Sequence, residues 1–268
     1  MEITALSDQE FILFRTMIHR VAGIHLSEAK KALVSGRLSK RIRQGGHRNY
    51  GDYFRFIQGN REEHQVAVDL LTTNETYFFR EPQHFDFLRE TVLPELRSRP
   101  RMRVWSAACS SGEEPYTLAM VLAESLGLGA WEILASDISS RVLDKARGGL
   151  YPLAGTENIP RPYLVKYCLK GTGLQEGNFA VDPALRERVS FRQVNLNGPL
   201  PGLGEFDVIF LRNVMIYFNP ETKRQVMQRL LAALRPGGWF FISHSESLNG
   251  ITESLQVVKP SIYRKPIA

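Results

Sequence analysis

Cysteine is nearly missing from this chain of 268 residues: there are two, Cys109 and Cys168, far apart and without metal-ligand spacing. A disulfide framework and a cysteine-held metal are therefore not expected, no other metal site is read from the sequence, and both residues read as buried free thiols in a reducing compartment. Apolar runs long enough to cross a bilayer are lacking. The opening MEITALSDQE has no basic-then-apolar leader, so the expectation is a cytoplasmic protein without direct membrane insertion. Acid is in deficit: the formal charge of +6 and a pI near 9.4 favour an acidic partner, either nucleic acid or an acidic protein surface. What is present, 43% hydrophobic and 23% charged residues, suits a soluble globular chain able to bury the core of one large or two modest domains.

Glycine is scarce at one informative place. Arg103 to Ala123, RVWSAACSSGEEPYTLAMVLA, reads as a strand, a turn of small residues, and a helix with Pro115 in its first turn. That order opens a nucleotide-binding α/β domain, although an ordinary ligand-free turn fits the stretch equally well. The next strand, Trp131 to Ser136, ends at Asp137, some 20 residues on, where a carboxylate can accept both hydroxyls of a ribose. Capping of the following helix, by Asp137 or Ser139, is the plainer alternative. A pyrophosphate would want three glycines, and only Gly112 is there. Glu113 and Glu114 place negative charge at the helix N-terminus, which disfavours phosphate and favours a cation. S-adenosylmethionine, with its ammonium and sulfonium, fits better than NAD or ATP.

Residues 1 to about 75 read as helical and separate. Ser7 with Glu10 forms a capping box, and Phe11, Phe14, Met17, Ile18 and Val21 make an apolar face that ends at Gly23. In the second helix Val34, Leu38 and Ile42 line one side. Between Glu28 and Arg48 seven basic residues face one acid, including Arg37, Lys40, Arg41 and Arg43. Such a face is either simply solvated or a dock for an acidic helix or a phosphate backbone. Two shorter helices follow, around Tyr50 to Ile57 and Arg61 to Leu71, without a legible motif. Leu71 to Phe85 is either an interdomain joint or a lid that brings Asn74, Thr76 and Arg80 over the ligand site. A helix from Pro82 to about Arg97 leads into the first strand.

Beyond Gly149 the strand–helix alternation breaks. From Tyr151 to about Arg188 prolines and a turn-rich run, Lys170 to Gly177, separate short strands near Val165 to Leu169 and Asn178 to Val181. This reads as an antiparallel insert whose open edge either decorates the fold or accepts a partner strand. Buried strands resume at Val189 to Val194, Phe206 to Leu211 and Trp239 to Ser243, and Leu255 to Arg264 reads as an edge. Ligands of open α/β sheets sit at the carboxyl ends of strands, so Arg212, Asn213 and Tyr217 fall beside Gly112 and Asp137.

LTTNETYFFR, SAACSSGEEPYTLA, ASDIS, VNL and FLRNVMIYF, in that order and spacing, resemble the CheR chemoreceptor methyltransferases of bacterial chemotaxis, over essentially the whole chain. The resemblance implies an α/β, Rossmann-like S-adenosylmethionine-dependent methyltransferase domain (98–268) with a small antiparallel β-subdomain insert (about 151–188). An all-α N-terminal domain (1–75) and a linker helix (76–97) would precede it. It also implies transfer of methyl groups to glutamates on the cytoplasmic helices of chemoreceptors, giving γ-methyl esters and S-adenosylhomocysteine. By the same resemblance Asn74, Thr76 and Arg80 belong to the cofactor site and lid, and Glu114, ahead of Glu113, meets the methionine ammonium. Asp137 holds the ribose, Asn195 and Leu196 the adenine edge, and Arg212 and Asn213 the methionine end. Arg80 and Tyr217 flank the transferred methyl. Arg37, Lys40, Arg41 and Arg43 would dock receptor helices, and the loop with Gly171, Gly173 and Gly177 resembles the one that tethers a C-terminal receptor pentapeptide in some members.

A nucleic-acid methyltransferase is the rival suggested by the basic charge, and a non-catalytic cofactor-binding docking module is the other. Enzymes that methylate exocyclic amines commonly place Asn/Asp-Pro-Pro-aromatic after this strand; here the same place reads Asn213-Val214-Met215-Ile216. Methylation of a pyrimidine carbon needs a cysteine there, and Cys109 lies on another turn.

Overall fold

Ser7 starts the first helix as its spacing predicts. Its hydroxyl accepts the Glu10 amide at 3.2 Å while the Glu10 carboxylate accepts the Ser7 amide at 2.9 Å, so two orphan donors are satisfied reciprocally. The computed structural model describes residues 4–267. Four helices come first: α1 (Asp8–Ala22), α2 (Lys31–Gln44), α3 (Tyr50–Gly59) and α4 (Arg61–Leu71). The helix expected from Pro82 is present as α5 (Gln83–Phe87) and α6 (Leu93–Leu96), joined by a π-helical stretch, Leu88–Val92. Pro94, which has no amide for a carbonyl behind it, sits where that ladder is widened.

A seven-stranded sheet follows, in the order β6-β2-β1-β7-β8-β10-β9. Its strands are β1 (Met102–Ala107), β2 (Trp131–Asp137), β6 (Val189–Gln193), β7 (Phe206–Leu211), β8 (Leu234–Phe241), β9 (Gln256–Lys259) and β10 (Ile262–Arg264). The first five in that spatial order pair in parallel; β10 and β9 are antiparallel. Helices α7 (Glu113–Leu126), α8 (Ser140–Gly148) and α10 (Pro220–Ala233) make the crossovers. Both faces of the sheet are covered, which explains the unbroken apolar run of β7. Ile209 and Leu211 join the core on one side, Val208 and Phe210 the core on the other. Each such side chain, fully buried, stabilises by about 1.5–3 kcal/mol.

The insert is a three-stranded antiparallel sheet, β3 (Leu150–Pro152), β5 (Asn178–Val181) and β4 (Cys168–Lys170), with β5 in the middle. One expectation fails here, and the tail forms an edge of the sheet as expected but in two strands. Val165, read as strand, lies in helix α9 (Arg161–Tyr167): Pro162 fits the first helical turn, and Tyr163 and Tyr167, one turn apart, are the buried pair. The tail is a hairpin of two strands, because Ser261 turns the chain with a φ of +63°. Strand β8 also starts five residues before Trp239, at Leu234.

The N-terminal helices are helical as expected but do not stand apart. Phe14, Ile18, Val34, Leu38 and Leu71 share one core with Trp105, Leu134, Leu211 and Met227. Asp69 of α4 is buried and accepts the Ser140 amide and hydroxyl (3.1 and 2.8 Å) and the Arg141 amide (3.3 Å), so an N-terminal carboxylate caps helix α8.

Candidate functional site

The carboxyl ends of β1, β2, β6 and β7 open into a crevice with about 940 Å³ of empty space, its open mouth included. All ten residues expected at the cofactor or the methyl group line it: Asn74, Thr76, Arg80, Glu114, Asp137, Asn195, Leu196, Arg212, Asn213 and Tyr217. Ala22 and Ile24, from the end of α1, complete one wall.

The floor is built by a turn of unusual backbone. Ala108, Ser110 and Gly112 have φ values of +69°, +49° and +96°. A Cβ on Gly112 would meet the Ala146 Cβ and the Tyr151 Oη, each at 2.8 Å, so the position requires glycine on two counts. The same turn separates the two glutamates. Glu113 points out of the crevice, accepts the Ser111 hydroxyl at 2.7 Å and lies 3.9 Å from Lys145. Burial raises its pKa. Glu114 faces the crevice, where it accepts the Ser106 hydroxyl at 2.7 Å and an Arg212 N–H at 2.9 Å. At the end of β2 the Asp137 carboxylate accepts the amides of Ser110 and Ser139, both at 2.9 Å. Burial raises its pKa, against those two amides. Helix α8 is capped by the Ser139 hydroxyl (3.5 Å to the Val142 amide), which leaves Asp137 to the crevice.

The roof is the segment after α4. Ser110 donates to the Asn74 carbonyl at 2.9 Å, tying roof to floor. Arg80 is half-buried, donates to the Glu75 carbonyl at 2.8 Å and lies 5.5 Å from the centre of the Tyr77 ring. The backbone on either side of it is strained, with φ of +55° at Phe79 and +58° at Glu81. Arg212 holds this turn from below: fully buried, it donates to the Arg80 carbonyl and pairs with Glu81 at 3.2 Å as well as with Glu114. Burial would raise the pKa of Glu81, but the Arg212 charge and hydrogen bonds from Ser243 and His244 hold it below the usual carboxylate range.

Tyr217 sits on a loop that Glu246 pins in place. The Glu246 carboxylate accepts the amides of Met215 (2.8 Å), Ser243 (2.9 Å), Asn213 (3.1 Å) and Ile216 (3.3 Å), and Asn213 adopts φ +58°. Glu246 was not expected at the site; its only signal in the sequence is an acid five residues past the buried strand β8. Asn195 is placed at the crevice, but its amide is spent elsewhere, donating to the Val21 carbonyl at 2.7 Å, and Asn197 donates to the Arg20 carbonyl at 3.1 Å. Two asparagines thus satisfy carbonyls at the C-terminus of α1, leaving backbone rather than the Asn195 side chain for a ligand edge.

The four cations of α2 that were expected to dock a partner divide. Arg37 donates to the Leu71 carbonyl and the Thr73 hydroxyl, both at 2.9 Å, at the root of the roof. Arg41 grips Glu63, which also accepts the Tyr53 hydroxyl at 2.9 Å. Lys40 and Arg43 are exposed. In the insert, Gly173 and Gly177 take left-handed backbone (+58° and +84°), and a Cβ on Gly171 would lie 2.0 Å from the Gln175 carbonyl oxygen. Among the described residues no helix is long and apolar enough to cross a membrane.

The donor set suits the cationic cofactor. An acid faces the crevice where an ammonium would lie, a second carboxylate stands at the end of β2, and Ile138, Val194, Leu196 and Phe218 supply apolar wall for a base. Comparison with known proteins agrees. A family model described as the CheR methyltransferase SAM binding domain matches residues 74–264, and one described as the CheR methyltransferase all-alpha domain matches 9–72. Chemotaxis protein methyltransferase 2 of Pseudomonas aeruginosa is 41% identical over 258 residues, covering 95% of this chain and 92% of the relative. The chemotaxis protein methyltransferase of Salmonella typhimurium is 39% identical over 268 residues, covering 97% and 91%. Chemotaxis protein methyltransferase 1 of Pseudomonas aeruginosa is 40% identical over 273 residues, covering 96% and 98%.

Proposed function

The chain belongs to the CheR methyltransferase family, and from that premise we propose that it methylates glutamate side chains on the cytoplasmic helices of chemoreceptors, as γ-methyl esters. S-adenosylmethionine is the cofactor, and when bound it supplies an electrophilic methyl group on sulfur. The observation that carries the reading is the convergence of Arg80 and Tyr217 on the crevice that also holds Glu114 and Asp137.

A substrate glutamate has an unperturbed pKa of about 4.3, so at neutral pH it arrives as a carboxylate and needs no general base. The residues have to orient it and keep water out. Arg80 uses one N–H for the Glu75 carbonyl; its others can hold the incoming carboxylate by charge-assisted bonds. A bidentate clamp would quench the nucleophile, so Arg80 orients rather than grips. Tyr217 positions the reacting groups from the opposite wall. Glu114 meets the ammonium of the cofactor, Asp137 its ribose, Arg212 and Asn213 shape the methionine end, and Asn74 and Thr76 close over it. Docking falls to Lys40 and Arg43, with Arg37 and Arg41 supporting the surface from inside.

The insert supports a second contact. Strand β4 is an edge, Leu169 is half exposed and Leu174 fully so, and such an edge takes an extra strand from an extended peptide such as a receptor C-terminus. One assay tests the whole reading: incubation of receptor cytoplasmic fragments with methyl-labelled cofactor. The expected product is protein-bound label that mild base releases as methanol. Label that resists base, or label on nucleic acid, would overturn it.

A further inference from the structure

Outside the crevice, a second cluster joins segments far apart in the chain. Glu81 Oε2 lies 3.4 Å from His84 Nδ1 and 3.9 Å from His244 Nε2, and the three atoms all fall within 4.8 Å of one another. None of the three residues lines the crevice. The opposite ring nitrogens converge on a single hydroxyl: His84 Nε2 is 2.7 Å, and His244 Nδ1 3.1 Å, from Ser261 Oγ, whose own proton goes to the Pro260 carbonyl. With one proton assigned to that carbonyl, Ser261 Oγ is left to accept from both rings. Each imidazole then carries an N–H on the Ser261 side, and a ring with that single proton turns a lone pair inward. His84 Nδ1 is buried with no hydrogen-bond partner, and it faces a carboxylate oxygen. Glu81 Oε2 also accepts the His244 amide at 3.2 Å and faces Arg212 at 3.2 Å, so the unpartnered atom is His84 Nδ1, and its lone pair is repelled by the carboxylate unless a cation stands between them. Charge does not forbid one: the guanidinium of Arg212 is shared between Glu81 at 3.2 Å and Glu114 at 2.9 Å, so it neutralises the Glu81 carboxylate only in part.

We propose that Glu81, His84 and His244 bind one divalent transition ion of the zinc class. Two imidazoles and one carboxylate suit zinc or cobalt; calcium and magnesium want mostly oxygen. Ser261 is then the hydroxyl that fixes both rings by their remaining N–H groups, as outer-shell partners of metal-bound histidines do. His244 is 45% exposed, which gives the ion a path from solvent and leaves a coordination position open to water. The ion clips the turn that carries Arg80 and Glu81 to the loops following β8 and β9. Its role is structural, since no ligand touches the crevice. Sequence spacing gives no hint of such a site: none of the ligands is a cysteine, and 163 residues separate Glu81 from His244.

The test uses tag-free full-length protein stripped with a chelator and titrated with Co²⁺, then with Zn²⁺ against a chromogenic chelator. Expected are one equivalent bound and visible d–d bands of low-symmetry cobalt. His244→Gln, which is partly exposed and should fold normally by circular dichroism, should remove the bands, and Ser261→Ala should weaken Zn²⁺ binding by about tenfold. His64→Gln, a histidine of α4 away from the cluster, should bind like the parent protein. The proposal is overturned if the stripped protein takes up no stoichiometric ion, or if binding survives His244→Gln unchanged, or if His64→Gln abolishes it.

Discussion

The floor and the roof of the crevice hold their residues by different means. The floor is backbone: left-handed residues at Ala108, Ser110 and Gly112 turn the chain, and Asp137 is locked by the amides of Ser110 and Ser139. The roof is held by side chains from elsewhere. Arg212 carries the Arg80 carbonyl, Ser110 carries the Asn74 carbonyl, and Arg37 of α2 carries the Leu71 carbonyl. A rigid floor suits recognition of a small invariant ligand. A roof suspended from α2 and β7 suits a surface that must respond to a protein substrate. The difference implies that damage to the floor appears in cofactor affinity and damage to the roof in turnover.

The largest expected effect is on the roof. Arg80→Ala should lower kcat by about 10²-fold, the scale of a lost charge-assisted contact in a transition state, while cofactor Kd measured by calorimetry stays within about threefold. Tyr217→Phe, on the wall opposite the roof, should follow the same pattern at about tenfold. Equal losses in kcat and cofactor affinity would erase the distinction between floor and roof. Next comes the floor: Asp137→Asn keeps one acceptor for a backbone amide but loses the charge, and should weaken the cofactor about tenfold, or about 1.4 kcal/mol, with kcat at saturation nearly unchanged.

The same contrast explains what could be read in advance. The floor lies in contiguous stretches, so a short strand, a run of small residues, two acids and the acid ending β2 were enough to place Glu114 and Asp137 at the crevice. The choice between Glu113 and Glu114 needed the helix phase: only one of two neighbours can face the crevice, and Glu114 does. The roof depends on contacts across great chain distances. Glu81 meets His244, Arg212 meets Arg80, and Asp69 caps a helix that starts with Ser140. No periodicity encodes such pairs. For that reason the N-terminal helices looked separate, the bond from the Asn195 amide to the Val21 carbonyl was not foreseen, and Glu246 went unnoticed. Val165 was misread for a local reason, an alternation that the preceding prolines overrode by starting a helix.

The smallest effect should come from α2, where cations that looked equivalent in sequence divide into inner and outer. Lys40 and Arg43 are exposed, so reversing both to Glu should leave the melting temperature nearly unchanged and raise KM for a receptor fragment by about three- to tenfold, an effect that added salt diminishes. Arg41→Glu should behave differently. Its partner Glu63 is largely buried, and its pKa is lowered first by the Arg41 hydrogen bonds, against its burial. Removing Arg41 strands that carboxylate beside Tyr53, for a loss of about 1–3 kcal/mol in stability. The sign with pH follows: a lowered carboxylate pKa stabilises the fold above the unfolded value near 4.3, and that share is lost as pH falls through the folded value. Protein lacking Arg41 should therefore show a shallower acid-induced drop in melting temperature than the parent, whereas the Lys40–Arg43 double variant should reproduce the parent curve. If the two variants shared one acid profile and one KM shift, the division of these cations into inner and outer would be lost.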